Sequence, residues 1–181
     1  MVTVGPPIGI VGFSFGLRRR EPSHSNQILA QEVIRIRTEL EGEGHKVVVG
    51  VQWEIAMALD HYEWCVRPVV NNYLSSSDVV TECKRYLLDP HDVTTVVPVM
   101  QPFLQSIAVT GHLRRAGFSV ERRKINSIPF DPDSLQSWTR GPVPLAWYAA
   151  RQRFSGYEGE AIVTEQMRFL QQTGRPPISK P

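Results

Sequence analysis

Apolar residues along this chain gather into short blocks separated by glycine-containing and polar connections. Ile8-Gly9-Ile10-Val11-Gly12, Lys46-Val47-Val48-Val49-Gly50-Val51 and Val93-Thr94-Thr95-Val96-Val97-Pro98-Val99 are continuous runs rich in β-branched residues. None alternates polar with apolar, which is the pattern of a strand covered on both faces in a parallel sheet. Helical spacing fills the gaps. Ile28, Leu29, Val33, Ile36 and Leu40 repeat at helical intervals over 27–41, with Arg35, Arg37, Glu39 and Glu41 between them, and Gly42 and Gly44 stop the run. Ile55, Ala56, Leu59 and Tyr62 predict a helix reaching Trp64. Val66–Val70 predicts a weak strand, placed at an edge because Pro68 lacks a donor. Ser75-Ser76-Ser77-Asp78 is N-cap chemistry for a helix over Val79–Leu88, ended by Asp89-Pro90. Gln101-Pro102 leads into the helix Phe103–Ala116. Gly117 closes it, and Phe118-Ser119-Val120 opens a strand directed toward Ile128.

Strands and helices in strict alternation predict an α/β, Rossmann-like, doubly wound and mostly parallel sheet with helices on both faces. The last third differs. Residues 129–140 form a polar loop with two prolines, Pro142–Phe154 and Glu158–Gln171 read as C-terminal helices, and Thr173–Pro181 as a flexible tail. The expected organisation is one domain over 1–172 and a tail over 173–181, as suits a chain of 181 residues.

Composition narrows the partners. Apolar residues make up 41% and charged residues 21%, ordinary for a globular protein, and the net charge of +2 is too small to hold nucleic acid by its field. No apolar run has the roughly 18 residues of a membrane span, so no membrane partner is expected. Cys65 and Cys83 lack metal-ligand spacing, and isolated thiols fit a reducing, cytoplasmic location. A homo-oligomer is compatible with all of this.

In an open parallel sheet, ligands bind beyond the carboxyl ends of the strands. Ser14, Arg18, Arg19, Arg20, Ser25 and Asn26 fall there after the first strand, Gln52 and Glu54 after the second, and Asn71, Ser76, Ser77 and Asp78 after the third. Gln101 and Gln105 follow the fourth, and Asp131, Asp133, Gln136 and Arg140 the fifth. Strand, glycine loop, arginine run and helix start together are how an α/β fold builds an anion site, because the first amides of a helix lack internal partners. Gly12-x-x-x-Gly16 is neither the dinucleotide fingerprint nor a Walker A loop. Gly12-Phe13-Ser14-Phe15-Gly16 does match G-x-S-x-G. A nucleophile elbow, however, leads straight into its helix and needs a histidine after the acid. Here the helix starts about ten residues late, and no histidine follows residue 131. Asp131-x-Asp133 is first of all turn chemistry, and no metal site is expected.

One family shares this arrangement. The apolar strand ends in glycine, Ser25-Asn26 opens the first helix, and Gln52-Trp53-Glu54 follows the second strand. Then come Ser77-Asp78-x-x-Thr81-Glu82, Gln101-Pro102-Phe103 and a helix ending in Arg114-Arg115-Ala116-Gly117. Over residues 7–140 this resembles the YdcF-like family, with its SanA and ElyC relatives. The resemblance implies a Rossmann-like domain with a polar pocket at the strand ends, and S-adenosylmethionine as a ligand class. Where such families place a His or Arg early in the fourth helix, this chain has Gln105-Ser106-Ile107, and it shows no apolar run like the anchor of envelope members.

The leading expectation is a protein that binds a small nucleotide-like or anionic molecule, S-adenosylmethionine or a phosphate compound. Ser14, Arg18, Ser25 and Asn26 would hold the anion, with Gln52, Ser77, Asp78 and Gln101 around it. One alternative is a transferase or hydrolase in the same pocket with Glu54 or Asp131 as catalytic base. Another is a protein-interaction module anchored by the Trp138–Trp147 region.

Overall fold

The computed structural model describes residues 5–18, 21–67, 74–102, 104–136 and 139. The predicted C-terminal helices and tail lie outside them. β1 (Gly5–Gly12), β2 (His45–Gln52), β3 (Trp64–Val66), β4 (Thr95–Val99) and β5 (Ser119–Val120) form one sheet in the order β3-β2-β1-β4-β5. Every pairing is parallel, with Ile10 opposite Val49 on one side and Val97 on the other. The strand order reverses between β1 and β4, so the chain leaves these neighbours toward opposite faces and a crevice opens at their carboxyl ends. The Rossmann-like, doubly wound reading of the sequence is what the chain adopts.

Helix α1 (His24–Gly42) covers one face, where Leu29, Val33, Ile36 and Leu40 meet Ile8, Ile10, Val49 and Val97. Helices α3 (Ser76–Cys83) and α4 (Ser106–Arg115) cover the other, where Val79, Val80, Cys83, Val109 and Leu113 meet Val11, Val48 and Val96. Among the described residues no helix is long and apolar enough to cross a membrane.

Several boundaries differ from the sequence expectation, each for a physical reason. The helix after β2 is only α2 (Trp53–Ala56). The third strand includes Trp64–Val66, earlier than expected, paired with Gly50–Gln52, while residues 68–70 of the expected strand lie outside the described residues. The Glu63 carboxylate extends that ladder by accepting from the Val49 N–H at 2.6 Å. The expected Val79–Leu88 helix is α3 followed by a π-helical turn over Lys84–Leu88 and a 3-10 turn over Asp89–His91. This wider turn places two consecutive residues on the sheet. A Cβ on Gly50 would lie 2.6 Å from the Leu87 Cδ2, and one on Gly9 would lie 2.5 Å from the Leu88 Cδ2. The two strand glycines are therefore sockets for two leucines.

β5 stops at Val120, and residues 121–131 run back along α1 as a strap. Arg123 pairs with Glu43 beyond the end of the helix, the Asn126 side chain donates to the Glu32 carboxylate at 2.6 Å, and Ser25 Oγ donates to the Pro129 carbonyl at 2.7 Å. Ile125, Ile128 and Phe130 fill the space beneath, with Phe130 edge-on to Phe15 at 5.7 Å. Polar side chains of α1 thus hold a strap whose apolar side chains complete the core.

Gly9→Ala should cost about 1–3 kcal/mol by overpacking. Gly42→Ala, where nothing lies within 4 Å of the added methyl, should stabilise by about 0.5–1 kcal/mol through helix propensity. Urea unfolding of the two variants measures both signs.

Candidate functional site

The loop leaving β1 occupies the crevice, and its backbone is clamped from several sides. Phe13 N donates to the Val99 carbonyl at 2.8 Å, Ser14 N to Gln52 Oε1 at 3.2 Å, and Phe15 N to Asn26 Oδ1 at 2.9 Å. Gln105 Nε2 donates to the Ser14 carbonyl at 2.9 Å, and Asn26 Nδ2 to the Gly16 carbonyl at 2.7 Å. Gln101 holds the start of the β4–α4 connection: its Oε1 accepts from Leu104 N, and its own N–H donates to Gln105 Oε1. The loop is a rigid shelf.

Its two glycines serve the chain itself. A Cβ on Gly12 would lie 2.8 Å from Val51 Cγ1, so Gly12 permits the close approach of β2. Gly16 turns the chain with φ of 90°, in the left-handed region that glycine adopts without strain, beside the hydroxyls of Ser23, Ser134 and Thr139.

Where the sequence suggests an anion site, the chain places a carboxylate of its own. Helix α1 carries no acid in its own first turn. Asp131, fully buried, supplies one from the strap. Its Oδ2 accepts from His24 N at 3.3 Å and from Arg18 Nε at 2.8 Å. Its Oδ1 accepts from Arg18 Nη2 at 2.7 Å and from Asp133 N at 3.1 Å. The same guanidinium also pairs with Glu21 and Asp133. Burial pushes the Asp131 carboxyl up. The Arg18 hydrogen bonds and charge, with the Asp133 and His24 amides, outweigh that and hold it below the usual carboxylate range. In this setting Asp131 is an anchor with little proton affinity.

The other expected residues divide between this clasp and the shelf. Ser23, in the Ser23-His24-Ser25-Asn26 stretch whose sequence offers N-cap chemistry, is the N-cap of α1, accepting from Asn26 N and donating to the Phe15 carbonyl. Ser25 holds the strap, Asn26 and Gln52 hold the shelf, and Gln101 holds the β4–α4 turn. Ser77 and Asp78 belong to the α3 terminus: Asp78 completes a capping box with Ser75, and Ser75 Oγ lies 2.8 Å from Ser77 Oγ. Ser134 was missed; its Oγ accepts from Leu17 N at 2.9 Å. Trp53 is core, packed with Leu17, Met57, Leu74 and Leu135. Arg19, Arg20, Asn71, Arg140 and the Trp138–Trp147 region lie outside the described residues.

Glu54 is the chemically distinctive group. It is 2% exposed in the first turn of α2, beside the shelf. Burial pushes its carboxyl up to about 8, against smaller opposing effects from its own backbone N–H and from the Ser14 hydroxyl that donates to it. Glu54 is therefore largely protonated at neutral pH and lies against the Ser14 hydroxyl at the edge of the crevice. Among the described residues no group of three or more His, Cys, Asp and Glu could hold a metal ion. Comparison with protein-family models, with curated proteins and with solved structures finds no match for the chain.

Two pH effects of opposite sign follow. The folded Asp131 pKa is depressed, so its stabilisation is complete above the unfolded value of about 3.9 and fades as pH falls through the folded value. Asp131→Asn should cost about 2–4 kcal/mol at pH 7, somewhat less than a fully buried pair because Arg18 reaches solvent. The folded Glu54 pKa is raised, so the folded state holds a proton that the unfolded state has lost between about 4.3 and about 8. Stability should decline with pH across that window and level off above it, and Glu54→Gln should remove the decline. Denaturant unfolding from pH 2 to 9 reads both.

Proposed function

We propose that the chain binds a small, polar, nucleoside-like molecule at the strand-end crevice between β1 and β4. The supporting observation is the convergence of Ser14, Gln52, Glu54, Gln101 and Gln105 at the point where the strand order reverses, on a backbone fixed before any ligand arrives. These groups are hydroxyl, carboxamide and a protonated carboxyl, so they suit the hydroxyls and ring nitrogens of a nucleoside.

The charge around them shapes the choice of ligand. Arg18 faces three carboxylates, those of Glu21, Asp131 and Asp133. Among the described residues, one cation against three anions disfavours a free phosphate compound and favours a neutral or cationic one. S-adenosylmethionine, which carries a nucleoside and a sulfonium, fits this reading, as does the resemblance to the YdcF-like family. A cytoplasmic location belongs to the same proposal, supported by the reducing-compartment reading of Cys65 and Cys83. The second reading, a hydrolase or transferase at this site, is favoured by the proton held on Glu54; Asp131, already ionised and buried in its clasp, is the poorer base.

Thermal unfolding with adenosine, S-adenosylmethionine and inorganic phosphate tests the reading. At about 100 times its dissociation constant a ligand adds about 2.7 kcal/mol, a rise of roughly 5–10 °C for a chain of this size. The adenosine compounds should produce such a rise and phosphate should not. A rise with phosphate alone would restore the anion site, and no rise with either adenosine compound would contradict the proposal.

A further inference from the structure

The strap is fastened by its ends. Glu121 N donates to the Val96 carbonyl at 3.0 Å, and Asp131 N to the Thr139 carbonyl at 2.9 Å. Between these points, among the described residues, no backbone–backbone hydrogen bond involves Arg122–Phe130. Side chains of α1 hold this span instead. Arg35 donates to the Lys124 carbonyl, Glu32 accepts from Asn126 N at 3.2 Å, and Ser25 Oγ reaches the Pro129 carbonyl. Ile128 is the one buried residue of the span, whereas Arg122, Lys124, Asn126 and Ser127 are exposed. A segment with few buried apolar groups and no ladder lies at the low end of local stability.

Lifting the span strands no charge. A buried carboxylate that lost its partner would forbid such a motion, but Glu32 keeps Arg35 Nη2 at 2.7 Å. Arg35 in turn keeps Glu39, and Arg123 keeps Glu121 when it leaves Glu43. The upper end of the span touches the shelf. Phe130 lies edge-on to Phe15 at 5.7 Å, and Phe15 follows Ser14 directly, its own N–H bonded to Asn26.

We propose that residues 122–130 are a hinged flap over the flank of α1, and that a ligand seated on the shelf holds it closed through Phe15 and Phe130. The flap turns at Glu121 and Asp131 while the sheet and the Arg18–Asp131 clasp stay in place. Opening removes Ile125, Ile128 and Phe130 from the core beside α1. A ligand that binds the shelf better with Phe130 seated against Phe15 shifts the population toward the closed flap. The coupling rests on the reading of the strand ends as a ligand site; the hinged motion does not.

Thiol labelling of the intact chain with N-ethylmaleimide, read site by site by mass spectrometry, tests the proposal. Cys83 is fully buried in the core on the α3 face, so it reacts only when the whole chain unfolds. The thiol introduced by Ile128→Cys should react about 100-fold faster than Cys83, at a rate that stays flat in low urea while that of Cys83 climbs. Adding Asn126→Ala removes a side-chain bond to the Glu32 carboxylate and should speed labelling at position 128 by about 10-fold or more. Adenosine or S-adenosylmethionine, at a concentration that raises the melting temperature, should slow it by about 10-fold. The same urea dependence at positions 128 and 83 would overturn the flap. Fast labelling that these compounds leave unchanged while they raise the melting temperature would overturn its coupling to the shelf. Fast, urea-independent labelling with no thermal shift from either compound would support the flap and remove the nucleoside ligand. If the Ile128→Cys chain fails to fold, hydrogen exchange of the Asn126 amide in the parent protein decides. Exchange that is independent of urea and faster than that of β1 and β4 supports the flap, and exchange only together with the sheet overturns it.

Discussion

Everything at the strand ends depends on one ion pair, that of Arg18 with Asp131. A helix N-terminus and an arginine in a β1–α1 loop would ordinarily wait for an external anion. Here the anion is covalently part of the chain, delivered by a strap that crosses the length of α1. The pairing is bidentate, and two backbone amides complete the carboxylate's hydrogen bonds. A carboxylate buried to this degree is stable only with its partners present. The clasp therefore fixes the strap, the start of α1 and the far half of the β1–α1 loop together.

Because that charge is satisfied internally, the chemistry left at the crevice among the described residues is neutral. Ser14, Gln52, Gln101 and Gln105 bring hydroxyl and carboxamide groups, and Glu54 brings a carboxyl that holds its proton. The two acids show how environment separates identical chemistry. Asp131 and Glu54 are both buried, and burial pushes both upward. Asp131 has a guanidinium and two amides to outweigh it, whereas for Glu54 burial prevails over a hydroxyl and one amide. One becomes an anchor, the other a reservoir for a proton.

The central sheet was readable because its cause is local. Runs such as Val47–Val51 and Val96–Val99 carry their burial on both faces in their composition, and the spacing of Leu29, Val33, Ile36 and Leu40 carries that of α1. The loss of helical phase at Lys84–Leu88 was not readable, since it answers to Gly9 and Gly50 in strands far away in sequence. The site divides in the same way. That polar residues gather at the strand ends follows from topology, and Ser14, Gln52, Glu54 and Gln101 do meet there. That Arg18 is already paired depends on a contact spanning more than a hundred residues, and no pattern in either segment reveals it. Ser77 and Asp78 carried cap chemistry in their spelling, and a cap is what they form.

A carbon-13 titration of the side-chain carboxyls, followed by NMR from pH 2 to pH 10, tests the account most directly, because it reads both acids in one sample. Asp131 should titrate below the ordinary carboxylate range and Glu54 near 8. Both carboxyls titrating together near 4 would mean that Asp131 is not clasped and that Glu54 is open to water, and would contradict it.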